Sequence, residues 1–207
     1  MLTFEKMHPE QREDCISLAV RAQEDYVYLT NYIFDDQRRR RFLECALKIE
    51  FHVNEGNAVF LTANNDRSLA AVAMLCPPGV RRPSDITYLK AGFWKAFLYG
   101  GFHNVCSWTA MNDKASAPCH EQSEKAWYLS MLTVDPANQG NGIGSRFIQE
   151  CIIPTVKFRG GDKLCLFTNS EINRKFYIKN GFHEFDAREF TYKGKKLGSW
   201  SYCIDIK

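Results

Sequence analysis

Apolar and polar residues alternate over 2–6, which predicts a short opening strand. From His8-Pro9 the apolar residues Ile16, Leu18, Ala19 and Ala22 return at helical spacing, and Pro9 suits a first helical turn. After an aromatic stretch (Tyr26, Tyr28, Tyr32, Phe34), a second helix is predicted over 36–53, with Phe42, Cys45, Ala46 and Ile49 as its buried stripe. The β-prone runs 57–63 and 69–76 flank Asn64-Asn65-Asp66-Arg67 and read as an antiparallel hairpin, closed by Pro77-Pro78-Gly79. Residues 85–100 read as a helix offering Tyr88, Leu89, Trp94, Phe97 and Leu98 for burial, and the polar stretch 107–125 reads as a loop. The nearly continuous β-prone run 127–134 suits a central strand covered on both faces. Beyond it come a helix over 145–157, kinked or shortened by Pro154, a strand over 163–168 and a helix over 172–179. Two closing strands, 182–190 and 199–206, complete an α/β class with a mixed sheet. No repeat or linker divides 1–207, so it reads as a single domain with 77–125 inserted between hairpin and central strand.

With 207 residues and 45% apolar content, the chain can bury one sizeable core. A net charge of +3 is too small for a dedicated nucleic-acid binder. The longest uncharged run, 96–112, is broken by Gly100, Gly101, His103 and Asn104, so no membrane span is expected. Residues 1–14 carry scattered charges and no apolar core of a signal peptide, and a cytoplasmic protein is expected. The eight cysteines lie no closer than 13 residues apart and read as buried, reduced thiols. The five histidines lack metal-ligand spacing, so no metal is assigned. The four cations Arg38–Arg41 read as a solvated helix face, with contact to an acidic ligand the sharper alternative.

Chemistry concentrates in Leu132-Thr133-Val134-Asp135-Pro136-Ala137-Asn138-Gln139-Gly140-Asn141-Gly142-Ile143-Gly144. Strand, glycine-rich turn and helix start follow one another there, so bare backbone N–H groups and a helix N-terminus converge on a cradle for a pyrophosphate. No Lys follows these glycines, as a Walker A loop requires. A dinucleotide fingerprint counted from Gly140 would place its last glycine where Ser145 stands.

The segment Gln139-x-x-Gly142-x-Gly144, behind a strand ending Leu132-x-Val134-x-Pro136, resembles the acyl-CoA pyrophosphate loop of the GNAT superfamily of N-acetyltransferases. Asn173-x-x-Phe176-Tyr177-x-x-x-Gly181-Phe182 is similar to that family's later N-x-x-F-Y-x-x-x-G-F motif. Ala126-Trp127-Tyr128-Leu129-Ser130-Met131-Leu132-Thr133-Val134 looks like the central strand of the puromycin-acetyltransferase branch, with Ala126 in place of its His. Phe167 stands where an acid is common, Ser170 where Asn is frequent, and Asn141 where Lys or Arg is usual.

The resemblance implies a GNAT fold: a mixed, mostly antiparallel sheet whose central strands splay, flanked by helices. It implies acetyl-CoA as co-substrate, no metal, and transfer to a primary amine by direct attack in a ternary complex. Main-chain groups of Met131, Leu132, Thr133 and Val134 would hold the pantetheine and face the oxyanion. Gln139, Gly140, Asn141, Gly142, Ile143, Gly144 and Ser145, with Asn173 and Phe176, would complete the cofactor site. Tyr177 would donate to the departing thiolate, for which a phenol of pKa about 10 is suited. No Asp or Glu lies within 126–134, so the base is not legible; His120, Glu121 and Glu124 are the nearest candidates and read as exposed loop residues. The expected acceptor is a small amine on an apolar body, walled by Tyr26, Tyr28, Tyr32 or Trp94, because Ala126 and Phe167 leave apolar surface. A protein lysine or amino terminus as acceptor, and a non-catalytic acyl-CoA-binding module, are the rival readings. A homodimer is compatible with all three.

Overall fold

The computed structural model describes every residue except Arg67, Arg81 and Lys207. Strand β1 (Leu2–Lys6) leads through a 3₁₀ turn at Pro9–Gln11 into α1 (Arg12–Gln23), the short α2 (Val27–Thr30) and α3 (Asp36–Val53). The hairpin β2 (Val59–Asn65) and β3 (Ser68–Cys76) follows; its predicted turn includes Arg67, which lies outside the described residues. Next come α4 (Asp85–Lys90), α5 (Trp94–Gly100) and α6 (Phe102–His120), then the central strand β4 (Ala126–Val134). Helix α7 (Ile143–Phe147) runs through a π turn (Ile148–Ile152) into α8 (Ile153–Phe158), and β5 (Lys163–Thr168), α9 (Glu171–Lys179), β6 (His183–Tyr192) and β7 (Lys195–Asp205) close the chain.

The seven strands form one sheet in the order β1-β2-β3-β4-β5-β7-β6, antiparallel at every joint except β4–β5. One face packs under α1, α3 and α6 (Ile16, Phe42, Phe51, Met74, Met111). The other packs under α7 and α8 (Leu75, Leu129, Phe147, Ile152, Val156). Cover on both faces explains why β2, β3 and the first part of β4 read as continuous apolar runs. Among the described residues no helix is long and apolar enough to cross a membrane.

Several sequence expectations change. The stretch 107–125 is not a loop: α6 runs to His120 and buries Val105, Met111, Ala115 and Cys119. Its stripe at four-residue steps is narrow and interrupted by polar Asn112, Asp113 and Ser116, so composition masked the helix. The single helix over 85–100 is two, separated at Gly92, whose φ is +98°. Of the residues expected to be buried there Tyr88 is, whereas Trp94 and Leu98 are 52% and 65% exposed. Pro154 does not shorten its helix; the π turn before it absorbs the missing N–H. The last strand begins at Lys195 rather than 199, after a tight turn with Lys193 and Gly194 both at positive φ.

The Arg38–Arg41 run is a solvated helix face at Arg38, Arg40 and Arg41, with Arg39 as the exception. Arg39 is 5% exposed and donates to the carbonyls of Glu24, Ile33 and Phe34 while pairing with Asp25 and Asp36. Arg38 donates to the Tyr99 carbonyl at 2.8 Å, tying α3 to α5. Cys15, Cys119, Cys165 and Cys203 are buried, but Cys106 is exposed.

Candidate active site

Strand β4 builds the centre of the site. Its register against β3 slips between Met74 and Leu75: Met74 faces Met131 but Leu75 faces Leu129, so Ser130 is the extra residue of a bulge. On its other side β4 pairs with β5 only from Ala126–Lys163 to Tyr128–Cys165, and then the strands part. Beyond Tyr128 the β5-facing edge of β4 is therefore free to offer its main-chain groups to a ligand.

At the end of β4, Asp135 accepts from the Ala137 N–H at 3.0 Å and pairs with Arg21 of α1. The Gln139 amide returns a hydrogen bond to the Val134 carbonyl at 3.1 Å, tightening the turn. Gly140 and Gly142 hold φ of +80° and +76°, and no heavy atom lies within 4 Å of where either Cβ would sit. Among the described residues no side chain caps the N–H groups that open α7, which have no intrahelical acceptor. Gly144 is needed for a different reason: a Cβ there would stand 3.2 Å from the Phe176 ring and 3.4 Å from Val134. This pairing brings α9 against the glycine loop, and an acyl-CoA pyrophosphate and pantetheine fit the bare loop and free strand edge.

One cleft of about 1450 Å³ runs from this loop, through the β4–β5 opening, to the underside of α3, α4 and α6. Met131, Leu132, Thr133, Val134, Gln139, Gly140, Gly142, Ile143, Gly144, Ser145, Asn173, Phe176 and Tyr177 all line it; Asn141 is exposed and does not. Tyr177 sits midway, packed against Phe176 and Phe182 at ring distances of 5.2 and 5.5 Å, and its hydroxyl has no hydrogen-bond partner among the described residues. Burial, with a smaller contribution from Tyr26, pushes its pKa well above the ordinary phenol value. Tyr177 is therefore a donor at every physiological pH.

Tyr26 joins the two ends. Its hydroxyl receives the Asn169 N–H and the Asn173 amide, both at 3.2 Å, which leaves its own proton for Thr168 Oγ at 2.8 Å. Asn173 thus reaches the cleft already tied to the α1–α2 joint.

The α3–α4 end of the cleft is walled by Tyr28, Tyr88, Phe93, Trp108, Tyr128 and Phe167. Of the four expected aromatic walls, Tyr26 and Tyr28 are present. Tyr32 instead stacks on Tyr192 at 4.6 Å, away from the cleft, and Trp94 faces solvent. His120 closes α6 rather than lying in a loop; its ring lies 4.7 Å from that of Tyr128, and burial lowers its pKa. Cys76 also lines the cleft, and burial reinforced by the nearby Glu50 charge pushes its thiol up to about 12.

Glu50 of α3 is the functional candidate that sequence reasoning missed. Its carboxylate accepts from Tyr88 Oη and Asn54 Nδ2, each at 2.9 Å, and it lines the cleft. Burial raises its pKa, opposed by the Tyr88 hydrogen bond, the Arg82 charge and the Asn54 hydrogen bond. A signal existed: Leu43, Ala46, Leu47, Glu50 and Asn54 follow the buried face of a helix, so a carboxylate interrupts an apolar stripe.

Residues 104–184 match the model of the acetyltransferase (GNAT) domain. Among solved structures, the chain is similar to the histone acetyltransferase HPA2 and related acetyltransferase from Corynebacterium glutamicum. That match has a TM-score of 0.68 at 15% identity and covers 97% of this chain and 94% of that one. The polyamine N-acetyltransferase of Drosophila melanogaster aligns over 100% of both chains, with a TM-score of 0.65 and 12% identity. The ribosomal-protein-S18-alanine N-acetyltransferase of Escherichia coli aligns over 100% of this chain and 95% of that one, with a TM-score of 0.59 and 15% identity. At these identities the likeness is one of fold, and the mostly antiparallel sheet with splayed central strands is the GNAT fold. No curated protein sequence matches the chain.

Proposed function

We propose that this chain transfers acetyl from acetyl-CoA to the primary amine of a small molecule, by direct attack in a ternary complex. The observation that carries this reading is the single cleft in which a bare glycine loop, a bulged strand edge and the unpartnered Tyr177 hydroxyl lead into an aromatic chamber. Acetyl-CoA supplies the activated acyl thioester. The loop N–H groups bind the pyrophosphate, and the free edge of β4 orients the pantetheine arm. The main chain at the Ser130–Met131 bulge faces the carbonyl oxygen where negative charge develops.

Tyr177 lies on the other side of the β4–β5 opening and donates a hydrogen bond to the departing sulfur. Because its pKa is raised, the hydroxyl stabilises the thiolate chiefly as a fixed donor, and complete proton transfer is less favourable than for an ordinary phenol. A covalent relay through Cys76 is disfavoured: a thiol held near 12 offers almost no thiolate at neutral pH.

A chamber roofed by α4 and α6 and walled by six aromatic rings suits a compact amine better than an extended peptide. Ala126 and Phe167 both line it, in keeping with an acceptor carried on an apolar body. The reading is tested by following thiol release from acetyl-CoA across arylalkylamines, polyamines, aminoglycosides and peptides. Turnover with the arylalkylamines at a kcat/KM about tenfold or more above the others is the expected result. Preference for peptides would move the chain to protein acetylation, and binding of acetyl-CoA without any turnover would make it an acyl-CoA-binding module.

A further inference from the structure

We infer that Glu50 receives the acceptor's ammonium group and takes the proton that frees its nitrogen for attack, a role that rests on the acetyl-transfer reading above. Three observations carry it. The first is position. Glu50 lines the cleft together with Met74, Cys76, Tyr128 and Met131, the β3 and β4 residues on either side of the Ser130 bulge. Tyr28 lines the same stretch of the cleft.

The second observation is valence. Each carboxylate oxygen accepts a single side-chain hydrogen bond, from Asn54 and from Tyr88, at 2.9 Å. A carboxylate accepts about four, so lone pairs remain for an N–H donor. The third is the missing partner. Among the described residues no cation forms an ion pair with Glu50. Arg82, whose charge acts on it, is held by Asp85 at 3.5 Å and Asp113 at 3.6 Å and lies over the Tyr88 ring. A carboxylate withdrawn from water normally has a cation beside it, and here the cleft leaves that place to a ligand.

The groups facing Glu50 are Tyr28 from α2, Asn54 at the C-cap of α3, Cys76 from β3, Arg82 and Tyr88 from the α4 end, and Tyr128 from β4. Burial holds all three tyrosines and the thiol protonated at neutral pH, which leaves Glu50 as the proton acceptor among them. The proton count closes. The amine arrives as R–NH3⁺ and gives one proton to Glu50. Its lone pair forms the N–C bond as the C–S bond breaks, and the electron pair leaves on sulfur. A second N–H proton leaves nitrogen and balances the thiol, and Glu50 returns its own to solvent.

The test compares the parent, Glu50→Gln and Glu50→Asp with 2-phenylethylamine from pH 6 to 10. Glu50→Gln is expected to lose about 10²–10⁴-fold in kcat/KM at pH 7. It should recover as the pH approaches the amine's own pKa near 10, where the free base is abundant. Glu50→Asp should keep the parent's pH profile at a lower rate, and the acetyl-CoA-induced rise in Tm should survive in both variants. A Gln variant as fast as the parent at pH 7 would overturn the proposal, and so would alkaline recovery in His120→Asn instead. Should the parent acetylate no amine, the transfer reading itself fails. Calorimetry with CoA present then decides the Glu50 site: a parent preference for 2-phenylethylamine over 2-phenylethanol that Glu50→Gln abolishes supports it, and no preference sinks it.

Discussion

At the β4–α7 end of the cleft the polar groups on offer are main chain: the N–H groups around Gly140 and Gly142 and the β4 edge beyond Tyr128. At the α3–α4 end they are side chains, with Glu50, Tyr88 and Asn54 in one hydrogen-bonded set and Tyr28 beside Trp108 at 5.7 Å. The first end is made by one contiguous stretch of chain and needs glycine to stay bare. The second is assembled from α2, α3, α4 and α6 and needs an aromatic shell to hold one carboxylate. Backbone recognition suits a ligand that never changes, whereas side chains can be exchanged to suit another acceptor without rebuilding the sheet. Tyr26 bridges the two, since its hydroxyl ties Thr168, Asn169 and Asn173 to the loop that also carries Tyr28.

The contrast can be broken most severely at its midpoint. Tyr177→Phe keeps the ring packed against Phe176 and Phe182 but deletes the donor. Thiol-release kinetics should show kcat lower by roughly 10–10⁴-fold, with the acetyl-CoA-induced Tm shift intact. Parent-like turnover would show that the thiolate leaves unaided.

The acceptor roof has its own keystone. Arg39→Ala strands three backbone carbonyls that pin the turn carrying Tyr26 and Tyr28. Unsatisfied buried acceptors cost about 1–3 kcal/mol each, so a loss near 3 kcal/mol is a conservative expectation. In a chain of this length that lowers Tm by roughly 6–12 °C, readable by calorimetry. A smaller drop would mean that water replaces the guanidinium.

The main-chain end is probed by Gly142→Val. At a φ of +76° an L-residue is strained by about 1–2 kcal/mol, but open space around the position lets the fold survive. The side chain would cover the N–H row, so the Tm of the variant should no longer respond to acetyl-CoA. A retained response would remove the loop from the binding site.

The smallest effect concerns stability at the other end. Burial raises the pKa of Glu50 above the ordinary 4.5, so the folded state holds a proton that the unfolded state has lost. Stability therefore falls as pH rises from about 4.5 to the folded pKa, and the loss persists above it. Glu50→Gln escapes that loss. Its Tm should exceed the parent's at pH 8 and match it below pH 4, as read by calorimetry. A variant less stable than the parent at pH 8 would mean that the Tyr88 and Asn54 hydrogen bonds outweigh desolvation.

The sequence by itself marked out the strand–turn–helix half of the cleft. Strand 127–134, the Gln139–Gly144 turn and the Asn173–Phe182 segment are local patterns in which glycine spacing and β-prone runs dictate backbone shape, and of the cofactor residues they named only Asn141 lies outside the cleft. Tertiary structure decided most of the other half, of whose lining the sequence had named Tyr26, Tyr28, Ala126 and Phe167 but not Glu50. A polar-looking stretch became α6 because β4, β5 and β7 offered its narrow stripe a place to pack, and Arg39 was buried because the connections on either side of α2 fold their carbonyls onto it. Glu50 gained its partners from Asn54, four residues on, and Tyr88, 38 residues away. Backbone shape is written in neighbouring residues, but the environment of a side chain is set by whatever the fold carries to it.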